Sequence, residues 1–451
     1  MKRIFLAFVV LIAGLTVLSC APAAIQAPTT QVPATQAPAA QAQATQVPAA
    51  QAPATQAPAA PVTIVHWQHY DPGRAPVVQE LAKEFMDKNP GVTVKAETIP
   101  YDNYFDKLIT ALSTKTGPDV FQVPMEMSEQ LIHAGSIAPV PDSVMTAKQI
   151  EDAFVPASVE RWKAGGKYYG LPTDVQTLIL FINTDLLKQC GGDPAKPPAT
   201  WDELEAQAQK CTKRDQSGAI IQAGLDTRYR WAVFTDAMYS FIDGPVVDAA
   251  NRKVMYDGPQ GLAAWKVVAD LMTGPKAVDS PQFLTGQFKF EQGKAVFYIN
   301  HPVTRARLEK SKINWIAAPP PVPAGKKLVT PLHTWAYVVN AESKNREAAW
   351  KWVQSLTDKA AQLKWNKEAG DLPSLKELVN DPALAYDANA KVALDSMQYS
   401  RPVQQVGQTE VDNIQAKEWE SIVIKGEPVD TVVKEAARAE NEVIQKILGP
   451  K

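Results

Sequence analysis

Between Val62 and Val123 the sequence switches repeatedly between a two-residue and a 3.6-residue apolar period, and this alternation restricts the fold more than any other feature. Val62–Trp67 reads as a strand, broken by His69-Tyr70-Asp71-Pro72-Gly73. A helix follows, with Pro76 in its first turn and Val77, Leu81, Phe85 and Met86 on one face. Asn89-Pro90-Gly91 stops it, and Val92–Thr98 alternates as a second strand. Tyr104, Leu108 and Leu112 then space a helix over Asn103–Ser113, and Gly117-Pro118 leads into a third strand, Asp119–Val123. Strand–helix–strand–helix–strand is the unit of an open parallel sheet, α/β in class, and ligands of such sheets sit beyond the carboxyl ends of the strands. Those ends are Trp67–Asp71 and Gln122–Glu126, both rich in polar and aromatic groups.

From Val62 to Lys451 there are about 390 residues, more than one hydrophobic core usually serves, so two lobes are expected. Leu178–Ile182 is a short apolar strand able to cross a lobe boundary. Thr200 followed by Glu203 forms a capping box, and Gly261–Met272, Arg346–Leu356 and Val429–Leu448 are amphipathic helices. Trp350, Trp352 and Trp365 fall at helical spacing and read as packing. Pro319-Pro320-Pro321 with Ala324-Gly325 marks a break at which the chain returns to its first lobe.

The N-terminus bears on location. Met1-Lys2-Arg3 is basic, and Ile4–Leu18 is too short to span a bilayer and suited to a secretory signal. Val17-Leu18-Ser19-Cys20 resembles a bacterial lipobox, which makes 1–20 a signal peptide and Cys20 the lipidated residue. From Ala21 to Pro61 nearly every residue is Ala, Gln, Pro or Thr, a composition expected to stay unfolded. At ~3.1 Å per residue this linker reaches on the order of 100 Å. The expectation is a body lipid-anchored to the outer face of the bacterial cytoplasmic membrane, touching the membrane through its anchor alone. Cys190 and Cys211 remain. In an exported protein they either pair, adding about 3 kcal/mol, or stay as two separate buried thiols. A net charge of −2 without a basic stripe argues against a nucleic-acid partner. There is no His-Glu-x-x-His, Gly-x-Ser-x-Gly, phosphate loop or Gly-x-Gly-x-x-Gly, so no metal and no cofactor is expected.

A series of motifs resembles the extracellular solute-binding proteins of ABC importers, the family that includes maltose-type sugar binders. It begins with Lys83-Glu84-Phe85 and Asn89-Pro90-Gly91-Val92, then Tyr101-Asp102-Asn103-Tyr104 and Gly117-Pro118-Asp119-Val120-Phe121. It continues through Gly166–Thr177, Asn183 with Asp185-Leu186, Gly293–Ile299, Trp335–Val339 and Ala348–Val353. The likeness covers Val62–Leu448. It implies a two-lobed periplasmic-binding-protein type II fold with a hinge, acting as a monomer that traps a carbohydrate and delivers it to a membrane permease. By analogy the first lobe holds 62–171 and 317–366, and the second holds 172–316 and 367–451.

A pyranose needs aromatic faces together with donors and acceptors. The candidates for ligand contact are Trp67, His69, Tyr70 and Asp71 after the first strand, and Gln122 and Glu126 after the third. Asp174 and Gln176 come from the crossing segment, Arg228, Trp231 and His301 from the second lobe, and Trp335 and Arg401 from further along. His333 lies beside Trp335. The chain departs from the family pattern at Ile182-Asn183, where Tyr-Asn is common, and at His301-Pro302-Val303, where Gly-Pro-Trp is common. Both changes remove an aromatic group. They admit a smaller or charged ligand, such as a sugar phosphate or glycerol phosphodiester facing Arg228, Arg230 and Arg401. The competing class is a secreted glycoside hydrolase working through two carboxylates; the resemblance favours a binding protein over an enzyme.

Overall fold

The alternation at the start of the body builds a parallel sheet. The computed structural model describes residues 61–248 and 251–449, so the signal segment, Cys20 and nearly all of the linker lie outside the described residues. Strand β1 (Val62–His69) pairs in parallel with β2 (Val92–Ile99), from Val62 opposite Val92 to His69 opposite Ile99. It also pairs in parallel with β3 (Val120–Pro124). Helices α1 (Arg74–Lys88) and α2 (Tyr101–Ser113) make the connections. The apolar stripe of α1 at Val77, Val78, Leu81 and Phe85 is buried, as its period requires.

Further along, β4 (Leu171–Pro172), β5 (Ile179–Asn183), β6 (Lys213–Arg214), β7 (Ile220–Asp226), β8 (Ala295–Asn300), β9 (Trp315–Ala318) and β10 (Trp335–Val339) complete two five-stranded sheets. The first runs β2-β1-β3-β10-β4 and the second β9-β5-β8-β7-β6. Every residue of β5 and β8 is buried, which explains why both read as continuous apolar runs. The larger core lies behind the first sheet and continues on to the second through Phe181, Ala223 and Tyr298, while a second core gathers Leu180, Ile182 and Phe297 of the second sheet. Trp350, Trp352 and Trp365 are fully buried behind the first; there the Trp352 indole donates to His66 Nδ1 at 2.8 Å, and burial lowers that imidazole to about 3, leaving it a neutral acceptor. Trp201 and Trp265 fill the second core. The Thr200–Glu203 capping box forms and starts α3 (Trp201–Cys211).

The strands fix where the chain passes between the sheets. It leaves the first after Pro172, which pairs with Ala336, and enters the second at Ile179. Ala317 and Ala318 still pair in the second sheet, opposite Phe181 and Leu180, so the return falls between 319 and 334. The third passage begins at Gly370, and Leu375 within it is still bridged to Phe154 on the first lobe. The passages lie side by side: Gln176 bridges His333, and Val175 bridges Leu372. Gly370 opens the third with φ 80°, and an added Cβ there would come within 3.1 Å of Val303 Cα on the second lobe.

Cys190 and Cys211 are joined, closing a loop with a sequence separation of 21 around the start of α3. Replacing both by serine is expected to cost about 3 kcal/mol of chain-closure entropy, read as a lower denaturant midpoint with no change in far-UV circular dichroism.

Candidate functional site

Strand ends from both sheets converge on the passages and leave a cleft of about 700 Å³. On the first lobe, β1 delivers His69, Tyr70 and Asp71 to the rim. Asp71 Oδ1 accepts from the backbone N–H groups of Gly73 and Arg74 at 2.8 and 3.0 Å and so starts α1. The turn after β3 turns Glu126 inward, where its carboxylate is buried. Loops of the second lobe supply the opposite wall. Asp226 accepts from Arg228 N–H at 2.9 Å, and Asp279, ion-paired to Lys289 at 3.0 Å, accepts from Thr227 N–H. These buried anchors hold Arg228 and Tyr229 in front of α4 (Arg230–Phe241), whose first turn presents Trp231.

The floor is a polar network on the passages. Arg74, almost completely buried, donates to Asp371 at 2.5 Å and to Thr173 Oγ1 at 3.1 Å, and lies 3.5 Å from Asp174. Gln176 Nε2 donates to both aspartates, at 2.8 and 2.9 Å. Two carboxylates thus face one guanidinium. Burial, despite Arg74, with Asp174 close by, pushes Asp371 up to about 8, so the pair keeps a proton at neutral pH. Nearby, His333 Nδ1 lies 2.8 Å from Glu126 Oε1. Burial opposes charge on this imidazole, but Glu126 outweighs it and holds His333 above its ordinary value. His301 behaves oppositely. Burial lowers it to about 3, so the neutral ring donates from Nδ1 to the Thr177 carbonyl at 2.8 Å and accepts at Nε2 from the Tyr229 hydroxyl at 3.2 Å.

Rings line this floor in an unbroken row. His69 meets Trp335 at 4.4 Å between centroids, Trp335 meets His333 at 5.8 Å, and His333 meets His301 at 6.1 Å. His301 meets Trp231 at 5.6 Å, and Trp231 stacks on Tyr229 at 5.8 Å. Among the described residues no group of three or more His, Cys, Asp or Glu gathers to hold a metal ion.

Of the residues singled out in the sequence, His69, Tyr70, Asp71, Glu126, Asp174, Gln176, Arg228, Trp231, His301 and Trp335 line the cleft together with His333. Trp67, Gln122 and Arg401 do not. Trp67 lies two residues below the end of β1, roughly 7 Å down the strand, under the Lys107 ammonium at 4.1 Å. Gln122 is likewise two residues short of the β3 rim and fully buried in the sheet. Arg401 donates to the carbonyls of Tyr239, Ile242 and Gly244, capping the C-terminal end of α4. The sequence reading missed Arg74, Asp371, Tyr229, Arg307 and Asp412. Arg307 pairs with Glu291 at 2.9 Å and reaches Asp71 on the opposite wall at 3.8 Å.

Comparison with known proteins agrees with this geometry. A family model described as bacterial extracellular solute-binding protein matches residues 71–363. A binding protein of Brucella abortus is 28% identical over 84% of this chain and 92% of its own length. A maltotriose-binding protein of Pyrococcus abyssi is 25% identical over 72% of this chain and 69% of its own. Among solved structures, an ABC substrate-binding protein of Listeria monocytogenes in complex with cycloalternan superposes with a TM-score of 0.73 at 21% identity, over 86% of this chain and 100% of that one.

The buried aspartate pair sets a pH dependence. A carboxyl whose folded value is raised contributes stability that is present below its unfolded value and lost as pH rises through about 8. Asp371→Asn, which stays neutral, is expected to flatten the decline in stability between pH 5 and 8 by on the order of 1–2 kcal/mol, measured by urea unfolding at each pH.

Proposed function

Because the chain belongs to the bacterial extracellular solute-binding proteins, we propose that it is the binding component of an ABC importer, capturing a carbohydrate between its lobes and handing it to a membrane permease. The row of rings from His69 to Trp231 carries this reading. Sugars offer an apolar face to such rings and a belt of hydroxyls to the groups beside them. Unpartnered, buried acceptors at Glu126 Oε2 and Gln176 Oε1 suit those hydroxyls. The sugars named for the Pyrococcus and Listeria relatives support the same class. Closure about the passages would let both walls touch the ligand at once, which selects the closed form.

The ligand is a neutral carbohydrate in this reading, since most cleft charges are already matched. Arg74 is balanced by its aspartates, Arg307 by Glu291 and Asp71, and His333 by Glu126. One observation favours a second reading. Arg228 and Arg230 lie over the rings of Phe288 and Trp419 with no carboxylate partner among the described residues. They would suit a sugar phosphate or glycerol phosphodiester, a role from which Arg401 is removed by its backbone bonds. The exported, lipid-anchored state expected from the N-terminal sequence and the monomeric state implied by the resemblance fit a binder serving a permease.

A thermal-shift screen of mono- and oligosaccharides, sugar phosphates and polyols tests the class. A sugar at a hundred times its Kd adds about 2.7 kcal/mol and raises Tm by several degrees without being consumed. A rise only with phosphorylated ligands selects the second reading, and a hit that vanishes as product appears selects a hydrolase. Trp231→Ala is expected to weaken binding of the hit sugar about tenfold, about 1.4 kcal/mol, with little change in the Tm of the free protein.

A further inference from the structure

Asp412 stands out among the cleft residues because it comes from the second lobe yet faces groups of the first. It lies on α5 (Gln408–Trp419), which packs on the C-terminal helix α6 (Val429–Leu448) of the second core. Its side chain accepts from Gln408 Nε2 at 2.8 Å and has no cationic partner of its own on α5. The Gln405 amide lies on the same side, its Nε2 buried without a hydrogen-bond partner. Across the cleft stand Glu126 and Tyr101 on the first lobe, with His333 on a passage and Tyr229 on the adjoining wall. His333 is already bonded through Nδ1 to Glu126, and the second Glu126 oxygen is buried without a partner. Bringing the lobes together therefore drives one carboxylate towards another in a site from which water is being removed.

We propose that Asp412 makes closure of the cleft a proton-consuming step, so that the closed form is favoured as the surroundings acidify. This rests on the two-lobed binding reading and adds to it the regulation of the same site. Burial, with Glu126 adding to it, pushes Asp412 up to about 6, against the hydrogen bond from Gln408, the nearby Gln405 amide and the attraction of His333. In an open cleft the Glu126 charge recedes and water returns, so the carboxyl reverts towards its ordinary range near 4. A group with the higher value in the closed form takes up a proton on closing, and closure strengthens as pH falls from 7 through 6. The ratio of closed to open molecules rises about tenfold between pH 7.5 and 5. His333 and Glu126 sit on the passage and the first lobe, and their contact does not require the second lobe.

The test needs no ligand. Spin labels at Asp106→Cys on the first lobe and Lys266→Cys on the second report the lobe–lobe distance by double electron–electron resonance in the otherwise unaltered chain. The expected result is a growing short-distance population from pH 7.5 to 5, and an Asp412→Asn variant that holds the pH 5 distribution at both values. A distribution independent of pH, or an Asp412→Asn variant that keeps the shift, overturns the proposal. Because no sugar is present, that failure leaves the carbohydrate reading untouched, and a flat sugar screen leaves this inference untouched.

Discussion

Removing a charge from water costs several kcal/mol, and three ionisable groups meet in contact at the centre of this protein. Arg74, Asp174 and Asp371 come from the first helix, the first passage and the third, and each is almost fully buried. They are tolerable because nearly every lone pair is matched: Thr173 and Gln176 complete the aspartates, and the guanidinium lies over the Trp365 ring at 4.8 Å. The cluster ties together the places where the chain moves between sheets. These places form a short polar band, with Gly370 pressed against Val303 at its edge.

That band also sets the chemistry of the cleft. Because the passages run side by side, Gln176 and His333 are neighbours through their backbones, and their side chains form the floor between the rims. Loops from the second sheet are fastened by buried carboxylates at Asp226 and Asp279, so Tyr229 and Trp231 are held in place before any ligand arrives. The cost of ordering these side chains is met during folding, which leaves more of the contact energy for binding.

Much of this was legible from the chain, for a physical reason. Apolar period reports which face of an element is buried, so the strands and helices between Val62 and Ser113 and the amphipathic helix at Val429 are found within a few residues. Strand ends mark the rim, which located His69, Asp71 and Glu126. Period does not report depth along a strand, and Trp67 and Gln122 were placed too near the mouth for that reason. Nor does it report partnership over distance. Arg74 and Asp371 lie 297 positions apart, and neither stands in a local pattern that announces the other. Arg401 shows the converse: an arginine free to serve an anion is instead absorbed by the open carbonyls at a helix end.

The row of rings has an optical consequence. Trp335 extends a strand of the first sheet, Trp231 opens a helix of the second lobe, and each lies 5.8 Å from the His333 ring. An imidazole ring quenches an excited indole only at near-contact range, and more strongly when it carries a proton. Any rotation that separates the lobes parts Trp231 from this quencher while leaving Trp335 beside it on the first-lobe side. The emission of Trp231 is therefore expected to follow the separation of the lobes against a background from the other tryptophans of the chain.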